Sequence, residues 1–288
     1  MVETGSSLPG RTVLAALVAA WAAAGCMPDN KGVSPPSDLL HYPTAAILAP
    51  DGDHLAVANS NFDLAFNSGT LILFDLDAIA NGLLPGCPDE GCEPVEESEY
   101  VLADDTVSIG SYSSFLANAP DGGRMYLTVR GNNSLTWFDV DASAAPGRRL
   151  TCFDPDDPPR SRKCDTEHTI HSGLPADPYA VTTSRATYAL DGDEVDVDWI
   201  FVSSLTDSEV TVFKAEVSAE TGRDLAPTHV LLEDSFPSGV SAIEAHPLIP
   251  SIFYATTRSS SALYTFGFAS DPQDFDGSTR IVLGATIP

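Results

Sequence analysis

The residues that could support catalysis are serines, histidines, cysteines and carboxylates, and none of them forms a strong catalytic motif. The sequence contains no Gly-x-Ser-x-Gly, His-Glu-x-x-His or Gly-x-Gly-x-x-Gly pattern and no phosphate-binding Walker loop. We therefore assign no catalytic residue from the sequence. A catalytic site assembled from several segments that are distant in the sequence remains an alternative.

Two histidines and a glutamate lie close together in CDTEHTIHSG, where Glu167 and His168 are followed by His171. The histidines are three residues apart, so on a strand their side chains point to opposite faces. They could not bind one metal ion without a bend in the chain. We interpret this stretch as an exposed loop leading into a strand.

The acidic stretch LDGDEVDVDW offers a weak calcium site. Asp191, Asp193 and Asp196 have part of the spacing of an acidic calcium loop, but the closing glutamate is missing at the expected distance. The alternative is a polar hairpin turn over 191–193, followed by a solvated face. Calcium is the one cofactor that the sequence suggests.

The charge balance excludes one class of partner. Lys and Arg total 14 and Asp and Glu total 41, which gives a formal net charge of −27. Phosphate backbones and anionic lipids would be repelled, so we expect no nucleic-acid binding. A soluble protein dispersed by surface carboxylates is the simplest interpretation.

The N-terminus is typical of an export signal. Arg11 precedes the twelve apolar residues 13–24, whereas a membrane-spanning helix needs roughly 20. The run ends in Ala-Ala-Gly-Cys at Cys26, which resembles the lipobox of bacterial lipoproteins. That resemblance implies cleavage after residue 25 and lipidation of Cys26.

Residues 26–42 then form the lipidated cysteine and a tether, because 27–37 are rich in Pro and Gly and poor in large apolar side chains. Met27 stands where Asp would favour retention at the inner membrane in many such lipoproteins. We therefore expect an exported protein anchored by lipid to the bacterial cell envelope, at the outer membrane rather than the inner.

Four cysteines remain, and an even number in an exported chain indicates disulfides. They are Cys87, Cys92, Cys152 and Cys164. Of the three possible pairings we favour 87–92 with 152–164, because each closes a short loop that would brace an insertion. The absence of Cys-x-x-Cys argues against structural zinc and covalent haem.

A β-hairpin pattern recurs four times, with alternating strands around a polar turn. The copies are His54–Asp77, Arg124–Asp141, Trp199–Phe213 and Phe253–Phe266. Each follows a lead-in of small residues (YPTAAILAPDG, YSSFLANAPDGG, LPADPYAVTTS, FPSGVSAIEAHP) and precedes a further β-rich run near Val107, Ile170, Leu231 or Val282. Four strands per unit predict an all-β protein, a β-propeller of four-stranded antiparallel blades over 43–288. A sandwich or barrel would not explain the recurring lead-in.

The second copy carries a more specific resemblance. Tyr126–Val129, then Asn132–Thr136 and Phe138–Asp139, resemble the repeat of YVTN-type propellers, which share their scaffold with lactonase-like propellers. That family usually forms rings of about seven blades, within the ~4–8 of propellers generally. We expect the four visible blades to be the front part of such a ring, a C-terminally truncated copy; a closed four-bladed ring is the alternative.

Fold analogy places ligands at the mouth of the central channel, near the ends of the inner strands. The candidates there are Thr44, Ser113, Tyr179 and Ser238. Only His54 and His246 lie near blade cores, both beside turns, which favours binding over catalysis. The main hypothesis is a binding scaffold for a protein, glycan or small molecule, without catalysis. The alternative is a lactonase-like hydrolase with its site at the channel mouth.

Overall fold

The computed structural model describes residues 32–83, 96–154, 156, 158, 162–190, 193–216, 225–232, 238–249, 251–268 and 281–287. The chain divides into two compact units, 1–33 and 34–288, and the fold below belongs to the second. Within the described ranges, no helix is long and apolar enough to span a membrane. The predicted signal peptide, Cys26, Cys87 and Cys92 lie outside the described residues.

Four antiparallel sheets follow one another along the chain. The first contains β1 (Pro43–Leu48), β2 (His54–Asn59), β3 (Gly69–Asp75) and β4 (Val107–Ile109). The second contains β5 (Ser113–Asn118), β6 (Arg124–Val129), β7 (Ser134–Val140), β8 (Leu150–Thr151) and β9 (Thr169–Ile170). The third contains β10 (Pro178–Leu190), β11 (Asp193–Ser204), β12 (Glu209–Glu216) and β13 (Leu225–Leu232), and the fourth β14 (Val240–Ala245), β15 (Ile252–Thr257), β16 (Ser260–Phe268) and β17 (Ile281–Ile287).

The first strand of each sheet packs against the first strand of the next. The contacts run from β1 to β5, from β5 to β10 and from β10 to β14. Within every sheet the first four strands pair in chain order. This is the arrangement of propeller blades around inner strands, and it confirms the predicted fold class.

The core lies between the sheets. Leu71, Val107 and Met125 are fully buried between the first and second sheets, and matching clusters fill the next two gaps. The phenylalanine that closes each predicted hairpin is buried: Phe74, Phe138, Phe213 and Phe266. Burying a side chain of this size stabilises the fold by about 1.5–3 kcal/mol.

The same left-handed backbone turn precedes the inner strand in all four sheets. The residue before each inner strand has a positive φ: Tyr42 (52°), Tyr112 (59°), Asp177 (52°) and Gly239 (79°). Its carbonyl accepts a hydrogen bond from the N–H just after the second strand, with donors at Ser60 (2.9 Å), Arg130 (3.0 Å), Leu205 (3.1 Å) and Arg258 (2.9 Å). The pairing register shifts directly afterwards in each inner strand. The similar lead-ins therefore form the same left-handed turn and bulge.

The structure departs from the sequence-based prediction in three places. The helix α1 (Leu76–Leu83) and two short 3₁₀ turns, Glu97–Glu99 and Ala103–Asp105, follow β3. The inner strand β10 is 13 residues long and extends beyond the predicted lead-in LPADPYAVTTS, because its second half pairs with the acidic segment up to Leu190 and Asp193. The outer strand of the second sheet is split, since β8 and β9 both pair with β7.

The split in the second sheet explains one disulfide. Cys152 follows β8, Cys164 precedes β9, and the two are bonded to each other. They close the loop inserted between the two parts of the outer strand, so this predicted pairing is confirmed.

The solvated face predicted after the acidic turn is wrong at Asp198. This side chain is completely buried and forms an ion pair with Arg185 on β10. Pairing with a cation offsets the cost of burying the carboxylate.

Candidate functional site

One end of the sheets collects the segments that precede the inner strands and the turns that join second to third strands. Because neighbouring strands are antiparallel, the start of β1 lies beside the end of β2 and the start of β3, and the other sheets repeat this pattern. We call this end the mouth face. Thr44, Ser113 and Tyr179 lie at the starts of inner strands and Ser238 lies just before one, so all four predicted residues belong to it.

Thr44 and Ser113 are brought into contact. The Thr44 hydroxyl donates to the Ser113 carbonyl at 3.0 Å and lies 3.5 Å from the Ser113 hydroxyl. Thr44 is exposed, whereas Ser113 is almost completely buried. These two residues therefore present one accessible hydroxyl at the junction of the first and second sheets.

Tyr179 lies at the next junction, between the second and third sheets. Its ring contacts the Phe115 ring edge-on, with centroids 5.3 Å apart. The guanidinium carbon of Arg130 lies 5.5 Å from the centre of the Tyr179 ring, a cation–π distance. The junction thus combines an aromatic face with a fixed cation.

The same junction contains an ion pair that sequence reasoning missed. Arg130 donates from Nε to Asp177 Oδ1 at 2.6 Å and from Nη2 to Asp177 Oδ2 at 3.0 Å. The hydrogen bond to Asp177 raises the pKa of Arg130, so the group stays a cation. The partners are 47 residues apart, and no local pattern pairs them. Both side chains remain partly exposed, at 30% and 23%.

Ser238 lies apart from the other three candidates. Its carbonyl accepts a hydrogen bond from the Ser259 hydroxyl at 3.3 Å. In the described part of the chain, no hydrogen bond or ring contact links it to Thr44, Ser113 or Tyr179. The mouth face is therefore a chain of neighbouring groups across the first three sheets, with Ser238 separate from them.

An aromatic side chain borders this face on the first sheet. Phe62 is more than half exposed, and its ring contacts the Tyr112 ring edge-on at 5.3 Å. Asn61 holds the loop by exchanging two hydrogen bonds with the Phe66 main chain, at 2.8 and 3.0 Å. Because the loop is braced, Phe62 presents a fixed apolar surface beside the polar groups.

His168 belongs to an ionic cluster on the outer part of the second sheet, away from the mouth face. Its Nδ1 lies 2.7 Å from Asp165 and its Nε2 lies 3.4 Å from Asp139, which also accepts from Arg124 at 3.0 Å. Burial opposes protonation, but the hydrogen bonds to both carboxylates outweigh it and raise the pKa of His168. His171 instead contacts the Asn132 carbonyl at 3.2 Å, so the two histidines, which flank β9, contact different groups.

The acidic stretch gives little support to a metal site. Asp191 lies outside the described residues, and Asp196 accepts from the Thr187 hydroxyl at 2.8 Å. No three His, Cys, Asp or Glu side chains of the described part are grouped to hold a metal ion. The calcium site at Asp191, Asp193 and Asp196 stays a prediction.

A cavity of about 180 Å³ lies between the inner strands of the second and third sheets and the strands β14, β15 and β16 of the fourth. Its lining includes Phe115, Val181, Ile243, Tyr254 and one carboxylate, Glu244. Glu244 is exposed as a whole, but desolvation of its buried part raises the pKa of its carboxyl group. A carboxyl group with a raised pKa is suited to proton transfer.

A larger cavity of about 510 Å³ lies between the outer parts of the first and second sheets. Its cation is Arg162, which donates to the carbonyls of Thr106 (2.8 Å), Gly147 (2.8 Å) and Leu150 (3.2 Å). These bonds tie the two sheets together. Arg162 therefore has a structural role here.

Known structures resemble this chain in fold. The periplasmic gluconolactonase of Pseudomonas aeruginosa is 14% identical, with a TM-score of 0.48 over 88% of this chain and 58% of that one. A putative 6-phosphogluconolactonase from Bacteroides fragilis is 13% identical, with a TM-score of 0.45 over 82% and 55%. A protein from Lactobacillus plantarum is 15% identical, with a TM-score of 0.46 over 89% and 58%.

The chain thus spans little more than half the length of these structures. No protein-family model matches the sequence, and no curated protein does so either. What is established is the class: a β-propeller-like protein of four antiparallel sheets.

Proposed function

We propose that this protein binds a small polyhydroxylated ligand, such as a sugar acid or sugar lactone, at the mouth face. The observation that carries the proposal is the two-bond ion pair of Arg130 and Asp177 beside the Tyr179 ring. Its partly exposed atoms offer donors and acceptors in a fixed geometry, and the ring offers an apolar face for a sugar ring. Binding sites for small molecules typically combine such groups.

Other groups of the mouth face would also contact the ligand. The Thr44 hydroxyl, whose proton is donated to the Ser113 carbonyl, adds an acceptor at the neighbouring junction, and Phe62 adds exposed aromatic surface. The negative net charge of the chain disfavours polyanionic ligands. A neutral or singly charged ligand is therefore the better match.

Titration calorimetry with gluconate and glucono-1,5-lactone tests this proposal. Tyr179→Leu keeps an apolar side chain against Phe115 but removes the aromatic face, so we expect a loss of affinity of roughly tenfold. Tyr264→Leu, a partly buried tyrosine on β16 that packs against the same hydrophobic cluster as Tyr179, is the matched control. Equal affinity of both variants and the original protein would contradict the assignment of the face.

Lactone hydrolysis is a second candidate function, favoured by Glu244. A carboxyl group with a raised pKa in a cavity lined mainly by apolar side chains could act as a general base towards water. Glucono-1,5-lactone is a suitable probe because one compound reports both binding and turnover. It is also the class of substrate named for the similar gluconolactonases.

Acid release from the lactone, followed in a pH-stat and corrected for spontaneous hydrolysis, tests the second candidate. A hydrolase loses its rate above background in Glu244→Gln, whereas Glu209→Gln, a glutamate on β12, leaves it unchanged. Binding without any acid release supports the non-catalytic scaffold. Turnover that survives Glu244→Gln contradicts the role of Glu244.

We also propose export and lipid anchoring through Cys26, with the outer membrane as destination. The sequence Ala-Ala-Gly-Cys, whose alanines end the apolar run 13–24, supports this proposal, and two or more acyl chains would anchor the protein stably. Labelling with radioactive palmitate, followed by membrane fractionation, tests it. Cys26→Ser should abolish the label and release the protein, whereas Cys87→Ser should do neither.

A further inference from the structure

The cavity of about 510 Å³ between the outer parts of the first and second sheets has a polar lining. Five of its lining residues carry a hydroxyl group: Ser34, Ser37, Thr70, Thr106 and Ser108. Among the described residues, the charged side chains in the lining are those of Arg162 and Asp104. Hydroxyl groups around one cation are suited to a small polar ligand rather than to an apolar one.

Arg162 differs from the other shielded arginines in its lack of a carboxylate partner. In the described part of the chain, four partly buried arginines pair with an aspartate at 2.6 to 3.0 Å: Arg124, Arg130, Arg149 and Arg185. Arg162 is partly buried as well, yet it forms no ion pair with a described carboxylate. Burial lowers its pKa, against the attraction of Asp105 and Asp104. The charge of Arg162 is therefore shielded from water without a direct partner.

The guanidinium of Arg162 is held in place and still has donors to offer. Its Nε, Nη1 and Nη2 atoms donate to the carbonyls of Thr106, Gly147 and Leu150. A guanidinium has five N–H groups. The two that remain, one on each terminal nitrogen, have no acceptor among the described residues. Because three bonds fix the group, a ligand carboxylate would meet donors that are already oriented.

A buried hydroxyl in the wall of the cavity also has an unused proton. Thr70 is 1% exposed, and its oxygen accepts a hydrogen bond from the Asn59 side chain at 2.9 Å. Its own O–H has no acceptor in the described part of the chain. Buried hydroxyl groups normally have one, and an oxygen of a bound ligand would supply it.

The segment before the first sheet closes one side of the cavity. The Thr106 hydroxyl donates to the Ser37 carbonyl at 2.6 Å. This bond fixes the segment that carries Ser34 and Ser37 against the sheet. Both serines are exposed, so their hydroxyl groups are accessible to a ligand that enters from solvent.

The carboxylates near the cavity limit the charge of a ligand. Asp105 is buried, but its carboxylate accepts from Arg149 Nη1 and from the main-chain N–H groups of Gly147 and Arg149. Asp104 lines the cavity and is exposed. Its carboxylate can accept hydrogen bonds from ligand hydroxyls and repels additional negative charge. A ligand with one carboxylate and several hydroxyls is therefore a better match than a polyanion.

From these relations we infer that the cavity beside Arg162 binds a small hydroxylated monocarboxylate, an anion with the chemistry of a sugar acid. Arg162 binds the carboxylate, and Asp104 and the hydroxyl groups of the wall bind the hydroxyls. This site is separate from the mouth face. The inference takes its ligand class in common with the proposed function but uses none of the mouth-face residues.

Titration calorimetry of the full chain with three probes tests the ligand class. Gluconate has a carboxylate and hydroxyls, glucitol has hydroxyls alone, and hexanoate has a carboxylate alone. In the Tyr179→Leu protein, in which the mouth face is weakened, we expect gluconate to bind roughly tenfold more tightly than either other probe. Equal affinity for glucitol would overturn the role of the cation, and equal affinity for hexanoate would overturn the role of the hydroxyls.

Substitutions of two arginines test the position of the site. In the same Tyr179→Leu protein, Arg162→Gln should weaken gluconate binding by roughly tenfold or more, because it removes the charged donors. Arg148→Gln is the matched control, since Arg148 follows the cavity wall directly in sequence but has a side chain 55% exposed. It should leave the affinity unchanged. Equal weakening by both substitutions would indicate a general effect of charge and overturn the inference.

A second variant is needed because Arg162→Gln also removes bonds between the two sheets. If circular dichroism shows that Arg162→Gln does not fold, Ala103→Phe decides instead. It places a large side chain in the cavity lining and keeps Arg162, so gluconate binding should be lost. Ala142→Phe, at an exposed alanine after β7, should retain binding. Binding that survives Ala103→Phe overturns the inference.

The same titrations separate this inference from the proposed function. If Tyr179→Leu by itself removes all gluconate binding, the cavity beside Arg162 is not a site and the inference is overturned. If Tyr179→Leu has no effect and Arg162→Gln removes all binding, the mouth-face proposal fails and the inference stands. Loss of binding in two separate steps supports both sites.

Discussion

Arg185 and Asp198 form a two-bond ion pair across β10 and β11, with distances of 2.6 Å from Nε to Oδ1 and 2.9 Å from Nη2 to Oδ2. Asp198 is completely buried. Arg185 also lies 3.3 Å from Asp121 in the second sheet. One arginine therefore neutralises a buried carboxylate and connects two neighbouring sheets.

Removing the charge of Asp198 should destabilise the fold strongly. Asp198→Asn leaves Arg185 without its main partner, and breaking a buried pair in this way costs about 3–5 kcal/mol. Urea denaturation gives the free energy of unfolding. Asp196→Asn, on the same strand but with a side chain 43% exposed, should cost less than about 1 kcal/mol. Equal effects of the two changes would contradict this role for Asp198.

His168 should make the stability depend on pH near neutrality. The carboxylates of Asp165 and Asp139 raise its pKa above the ordinary 6.5, so the folded state binds the proton more tightly than the unfolded state. The stabilisation is complete below pH 6.5 and is lost as pH rises through the folded pKa, at about 1.4 kcal/mol for each unit of difference. Unfolding free energies from pH 5.5 to 8.5 should show this loss. His168→Gln should remove it, whereas the exposed His171→Gln should not.

The Cys152–Cys164 disulfide should stabilise the fold by constraining the unfolded chain. The disulfide joins residues with a sequence separation of 12. A disulfide of this kind typically stabilises the folded state by about 2–4 kcal/mol. The double change Cys152→Ala and Cys164→Ala should lower the free energy of unfolding by that amount. Dithiothreitol should not lower the stability of the double variant further through this loop. A double variant as stable as the original protein would refute the prediction.

Alanine substitutions at Gly239 and Gly52 distinguish two energetic costs of placing a side chain on a left-handed backbone: the backbone strain and the steric contact of the new Cβ. Both have φ near 79°, so alanine at either position should cost about 1–2 kcal/mol. At Gly239 the new Cβ would also lie 3.1 Å from the Leu205 carbonyl oxygen, whereas at Gly52 it meets open space. Thermal unfolding should therefore show a larger loss of stability for Gly239→Ala than for Gly52→Ala. A larger loss for Gly52→Ala would be inconsistent with this packing.

The sequence by itself determined the repeating unit. Alternating side chains and recurring lead-ins gave the four hairpins, because strand alternation and turn formation depend on residues close in sequence. The pairing of Cys152 with Cys164 could be predicted from the sequence for the same reason, since only a short loop separates the two cysteines. The positions of Thr44, Ser113 and Tyr179 at the starts of inner strands also followed from the repeat.

Only the tertiary structure decided which groups meet. Arg130 pairs with Asp177, 47 residues away, because the second and third sheets are neighbours. Asp198, which looked solvated in a stretch of carboxylates, is buried because β10 extends to cover it and supplies Arg185. Local patterns specify strands and turns, whereas contacts between sheets depend on how far each strand extends and which surfaces it covers.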